Sequence, residues 1–176
     1  MENQDNTFKM ALKPGLIIGG ISIAISLILW ATISDIGFRD KFGYVTWLLI
    51  AFLYHYYTKS YRENSLNGAI TYGKAFTYMF YITIVTSLLS IVYAYALFTV
   101  LDPGMIDVIK EQAAEKMYQN PGLTEEQIEQ AIEMQSMWVN PAVMTITAFF
   151  GSLFFGTILS LVVAIFVKKD VQIIEE

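Results

Sequence analysis

Three groups of residues in this chain have the types and spacing to do chemistry. Residues 68–75 read GAITYGKA, the spacing of Gly, four residues, Gly and Lys with which a phosphate-binding loop wraps the phosphates of a nucleotide. Ala75 stands where that loop needs the Ser or Thr that ligates magnesium. The segment also follows a basic stretch and leads into a long apolar run, whereas the loop needs a buried β-strand before it, so nucleotide binding is not expected. His55 is the only histidine. A pH sensor or proton carrier would be the sharp reading, because ionisable groups in a membrane are costly and often functional. His55 has no second histidine, cysteine or intramembrane carboxylate to relay to, and an interfacial or hydroxyl-paired histidine is the expectation. The third group is acidic: Asp107, Glu111 and Glu115, then Glu125, Glu126, Glu129 and Glu133. It could hold a divalent cation or a basic segment, but a hard cation recruits carbonyl and amide oxygens in a tight loop, and no EF-hand spacing is present. A solvated acidic face is expected.

No catalytic triad, paired buried carboxylates or metal-ligand cluster can be assembled from what remains. The sequence therefore nominates no catalytic residue, no cofactor-binding residue, no metal ligand and no cofactor, and no enzymatic activity is expected. With no cysteine among its 176 residues, the chain has no disulfide, thiol redox chemistry or thiolate metal site.

The elements that would position such residues are mostly apolar. Pro14 to about Ile33 is an uncharged run of about the length needed to cross a hydrocarbon core of roughly 30 Å. About Ala75 to Leu101 and about Pro141 to Val167 are longer and equally uncharged, so each can cross with tilt to spare. The stretch from about Tyr44 to Tyr57 has a short apolar core, WLLIAFLYHYY. Trp47 at one end and Tyr54, Tyr56 and Tyr57 at the other suit the two aromatic belts of a fourth span. The expected fold class is all-α: a single membrane domain over 1–176, made of a four-transmembrane-helix bundle with an extracytoplasmic amphipathic helical hairpin over 102–140.

Orientation follows from Lys and Arg in short connections. Lys9, Lys13, Lys59, Arg62, Lys74, Lys168 and Lys169 fall on one side of a four-span chain, and Arg39, Lys41, Lys110 and Lys116 on the other. Both termini are predicted to be cytoplasmic. The first apolar run is of full span length and ends in Trp30, Ala31, Thr32 and Ile33, which reads as a signal anchor and not a cleaved leader. The formal net charge of −5 gives no basic surface for nucleic acid.

Lipid is as apolar as leucine, so membrane helices associate through small residues and weak hydroxyl bonds. Gly15, Gly19, Ser22 and Ser26 form one such stripe; Thr83, Ser87, Ser90 and Ala94 a second; Ala148, Ser152, Gly156, Ser160 and Ala164 a third. They could serve a homo-oligomer, but packing within the chain is the expectation. In the third connection, Asp102 followed by Pro103 resembles a helix start. Ile106, Ile109, Ala113 and Met117 continue at helical spacing. Asn120, Pro121 and Gly122 end that helix, and Thr124 with Gln127 makes a capping box for the next, whose stripe is Ile128, Ala131, Ile132 and Trp138.

The stretch YRENSLNGAITYGKAF (61–76), the motifs LDPGMID (101–107) and LTEEQIEQA (123–131), and a last span opened by Asn140–Pro141 resemble a family of small uncharacterised bacterial membrane proteins that carry a domain of unknown function. The resemblance covers nearly the whole chain. It implies four transmembrane helices with an extended third connection, in Gram-negative bacteria of the Bacteroidetes type, and hence the inner (cytoplasmic) membrane. It carries over no site residue. The functional expectation is an accessory or interaction protein whose partners are the lipid bilayer and another membrane protein, met through the hairpin or through residues 61–76. The alternative is an oligomeric channel or small-solute transporter. Residues 61–76 themselves read either as a docking surface or as a tight turn anchoring the third span, and the turn is preferred.

Overall fold

The computed structural model of the chain describes residues 2–33 and 36–169, with side chains placed for 6–33 and 41–169. Among these residues it contains six α-helices and no strand. They are α1 (Glu2–Thr32), α2 (Ile36–Ser65), α3 (Tyr72–Ala96), α4 (Met105–Tyr118), α5 (Glu125–Trp138) and α6 (Pro141–Val167). A π-helical turn, Leu97–Leu101, extends α3. Of the basic residues in the expected charge asymmetry, only the side chain of Arg39, on the first turn of α2, lies outside those described.

Three helices are long and apolar enough to cross a membrane: Asn6–Thr32, Tyr72–Leu101 and Pro141–Val167. They coincide with the first, third and fourth expected spans. The expected second span is part of a continuous 30-residue helix but does not join these three. The reason lies in its composition: Thr46, Tyr54, His55, Tyr56, Tyr57, Thr58 and Lys59 interrupt the apolar run, and hydrophobic length is what membrane crossing demands.

The chain divides into two compact units. The first comprises residues up to Leu89 together with those from Gly151 onward. Here α1 packs on α2, and the small-residue stripes lie between helices. A Cβ added to Gly15 would stand 2.6 Å from Val85 Cβ, and one added to Gly19 would stand 2.5 Å from Leu89 Cδ1. Helices α1 and α3 thus approach closely only because these two positions have no side chain, the mechanism of small-residue packing in lipid. At Gly156 the same Cβ would stand 2.5 Å from Thr83 Cγ2, which brings α6 against α3 in the same way. Ile18, Met79, Ile82, Val163 and Ala164 fill the core between them. Leu16, Ile28, Phe154, Ile165 and Phe166 face outward, the surface that a bilayer would solvate.

The second unit is Ser90–Phe150. In it α4 packs on α5, with Ile106 and Ile128 buried between them. The capping box is formed: the Gln127 amide donates to Thr124 Oγ1 at 3.3 Å, and the Thr124 amide donates to Gln127 Oε1 at 3.0 Å. The turn before it is held by the Gly122 amide on Asn120 Oδ1. Two expectations are corrected. Helix α4 starts two residues later than the Asp102–Pro103 signal suggests, with Gly104 at its N-cap position. The Asp102 amide instead closes the π turn on the Leu97 carbonyl at 2.8 Å. Trp138 is 65% exposed and does not belong to the buried stripe of α5. It ends α5 just before Asn140, whose side chain caps α6 by accepting from the Val143 amide, with Pro141 at the first helical position.

Candidate functional site

In the first unit the polar side chains of the apolar helices bond to one another. Tyr54, 2% exposed, has its hydroxyl 2.8 Å from Thr83 Oγ1, which in turn lies 3.2 Å from Ser160 Oγ. The Met79 and Gly156 carbonyls, one turn back in the same helices, are alternative acceptors for the Thr83 and Ser160 hydroxyls at 3.0 and 2.7 Å, so one of the two hydroxyls donates to the other and the second to its carbonyl. Ser87 donates to Ser152 at 3.1 Å. The second and third stripes therefore face each other, and Tyr54 ties α2 to both through a chain of hydroxyls. Such bonds are worth about 0.6 kcal/mol each in membrane proteins. Thr58, fully buried one turn further along α2, has a hydroxyl with no partner among the described residues.

The end of this unit nearest residues 61–76 is built differently. Asn67 (φ 53°) and Gly68 (φ 84°) adopt left-handed conformations that reverse the chain after α2. The Gly68 amide reaches back to the Arg62 carbonyl at 3.0 Å. Ile70 then pairs with Lys169 in an isolated antiparallel bridge, each amide donating to the other's carbonyl at 2.9 Å. Arg62 extends across this clasp. Its guanidinium donates at 2.8 Å to the carbonyl of Val167, the last residue of α6, and also holds Glu63 Oε1 at 2.7 Å. A cation at a helix C-terminus satisfies a free carbonyl and complements the helix dipole. The Arg62 guanidinium keeps the exposed Glu63 carboxyl below its usual range. Tyr72 donates to the Leu161 carbonyl at 3.2 Å, which adds a link from the start of α3 to α6.

Beside the clasp, the first half of α1 and the last turns of α2, with Tyr78 of α3, line an open cleft of about 440 Å³. Tyr61 and Tyr78 lie in its wall, stacked with ring centroids 4.2 Å apart. Their hydroxyls are committed elsewhere: Tyr61 to Thr7 at 3.2 Å, and Tyr78 to the Met10 carbonyl at 3.4 Å. That carbonyl is available because Pro14, four residues on and inside α1, has no amide hydrogen to offer it.

The residues that sequence singled out therefore have separate fates. GAITYGKA is not a phosphate loop in form. It follows a helix, Ile70 is in the clasp, and Gly73 and Lys74 are already within α3, where the Lys74 amide is capped by Thr71 Oγ1 at 3.4 Å. Ala75 is fully buried. His55 is half-buried on α2 and outside the hydroxyl chain. The carboxylates of α4 and α5 are exposed, and among the described residues no three His, Asp or Glu side chains converge. Tyr54 differs from its expected place in an aromatic belt: it points inward, while Tyr56 is exposed. The signal for this was present, since Tyr54, Thr58 and Tyr61 recur at steps of four and three and so share one face of α2.

The arrangement is that of a helical protein with three membrane-span-like helices, whose buried hydroxyls, Thr58 excepted, lie within bonding distance of another hydroxyl or of a carbonyl. Residues 13–169 match the model of a family described as a protein of unknown function (DUF4199), and the chain belongs to that family. No curated protein matches the chain. No solved structure matches it either.

Proposed function

We propose that this is a four-span protein of a bacterial inner membrane, with both termini cytoplasmic and α4 and α5 outside, that serves as an accessory or interaction protein without enzymatic activity of its own. One observation carries the reading: on α4 and α5 only Ile106 and Ile128 are buried, Ile109, Ala113, Met117, Ala131 and Ile132 are half-buried, and a broad mixed surface is left exposed. Val108, Tyr118, Met134, Met137 and Trp138 are exposed on the same two helices as seven carboxylates. Exposed apolar side chains beside charge are the composition of a contact surface, here for a partner that offers apolar and basic groups. Residues 61–76 are largely consumed in the clasp, so the hairpin is the preferred surface. A hydroxyl-lined pathway would have to turn Ser87 and Ser152 toward a solute, whereas these two side chains bond to each other.

The test is extraction of the tagged protein from its native membrane in mild detergent, with the mass and composition of the complex measured. One membrane partner at fixed ratio, lost when residues 105–138 are replaced by a short Gly-Ser linker, is the expected result. A homo-oligomer without a partner, conducting ions in liposomes, would overturn it.

A further inference from the structure

We infer that the cleft between α1 and α2 is a binding site for a phosphate group, supplied by an anionic phospholipid at the membrane surface. Two lysines one helical turn apart, Lys9 and Lys13, line it from α1, and Ser60 and Asn64 line it from α2. Among the described residues that line it there is no carboxylate to set against the two positive charges. The polar groups are arranged to donate. Asn64 Nδ2 gives one hydrogen to Ser60 Oγ at 3.0 Å; this leaves the second amide hydrogen of Asn64 and the hydroxyl hydrogen of Ser60 for an acceptor. An oxyanion needs donors and positive charge of this kind.

The apolar part of the lining distinguishes a lipid from a small ion. Tyr61 and Tyr78 are buried, stacked, and have their hydroxyls bonded to Thr7 and Met10. They present ring surface, joined by Met10 and Pro14. A cleft lined by two ammonium groups together with aromatic and aliphatic side chains fits a molecule that is anionic at one end and apolar at the next. Its level in the bilayer agrees. The uncharged run of α1 begins at Pro14, directly after Lys13, and α2 passes from Tyr57 to Lys59 and Arg62 over the same stretch. Both helices change from apolar to basic there, where a headgroup phosphate lies. The cleft volume, about 440 Å³, is in the ~300–1,000 Å³ range of small-ligand pockets.

Native mass spectrometry of the purified full-length protein, with dioleoyl phosphatidylglycerol, dioleoyl phosphatidylcholine and inorganic phosphate as separate probes, tests this. The expected result is one retained phosphatidylglycerol per chain, preferred over phosphatidylcholine. Its affinity should fall about thirtyfold in Lys9→Gln/Lys13→Gln, in line with two surface lysines, and be unchanged in Lys110→Gln/Lys116→Gln. Lys9 and Lys13 are exposed, so the double variant should melt as the parent does without lipid. Ser60→Ala/Asn64→Leu, which keeps both charges, should also weaken retention. Lysine-dependent binding of inorganic phosphate without phosphatidylglycerol would keep the phosphate site and overturn its lipid source. Retention unaffected by both double variants, or equal for the two lipids, would overturn the site itself.

Discussion

Gly156 and Gly151 are five residues apart on α6 and should respond in opposite directions to the same substitution. A methyl group at Gly156 meets Thr83 Cγ2 at 2.5 Å, and Thr83 cannot turn away without releasing Tyr54 and Ser160. Gly156→Ala should therefore cost about 1–3 kcal/mol, the usual range for overpacking. At Gly151 nothing stands within 4 Å, so Gly151→Ala should be neutral or gain up to ~1 kcal/mol from helix propensity. Denaturation in SDS-containing micelles would read both; equal effects would mean that the α3–α6 crossing is not set by Gly156. The Met10 carbonyl offers a second residue-level test. Tyr78→Phe should cost ~0.5–1.5 kcal/mol by removing the donor to that carbonyl. In a Pro14→Ala background α1 supplies its own amide, and the same substitution should cost nearly nothing. A double-mutant cycle with no coupling would rule out this compensation. The glycine stripes were legible in sequence because spacing alone places small residues on one face. The tyrosine pairings were not, because a tyrosine near a span end satisfies its hydroxyl equally well in headgroups or in a neighbouring helix, and only tertiary packing chooses.

At the scale of elements, α1, α3 and α6 could be read directly, since long uncharged runs have few alternatives to a membrane helix. Helix α5 could be read from its cap, and its start is the place to test it. Thr124→Ala removes one of the two reciprocal bonds and should lower stability of the α4–α5 pair by about 1 kcal/mol. Faster amide exchange confined to the first turn of α5 is the expected readout, and unchanged exchange at Gln127 would show that the box contributes nothing. The start of α4 was misread because the π turn consumes one more residue than an α-helical ending would. Asp102 is drawn back to Leu97, five positions earlier, and the cap that its side chain advertises moves to Gly104. A widened turn has no strong signature in composition. Helix α2 was legible as a helix, but the span expected within it, about Tyr44 to Tyr57, is not among the helices apolar enough to cross, and its buried face carries the polar side chains Tyr54, Thr58 and Tyr61.

At the scale of the molecule, the number of crossings decides which side each surface occupies. If α2 crosses, Ser65 and Glu129 lie on opposite sides of the membrane, with Glu129 outside; if only α1, α3 and α6 cross, the two exchange places. The absence of cysteine makes this measurable without background. With four spans, Glu129→Cys should react with a membrane-impermeant maleimide added to spheroplasts, and Ser65→Cys only after permeabilisation. The reverse pattern would exclude a four-span arrangement with cytoplasmic termini and place the α4–α5 surface in the cytoplasm.

The clasp also sets a sequence of events in time. Arg62 and Val167 are separated by 105 positions, and Ile70 must wait similarly long for Lys169. At the usual ~5–20 residues per second of synthesis, the turn after α2 exists for roughly 5–20 s before its partners are made. During that interval the guanidinium of Arg62 and the backbone groups of Ile70 have water and lipid headgroups as their company. Closure of the clasp is therefore a late step in biogenesis, and it comes only after α6 has been threaded.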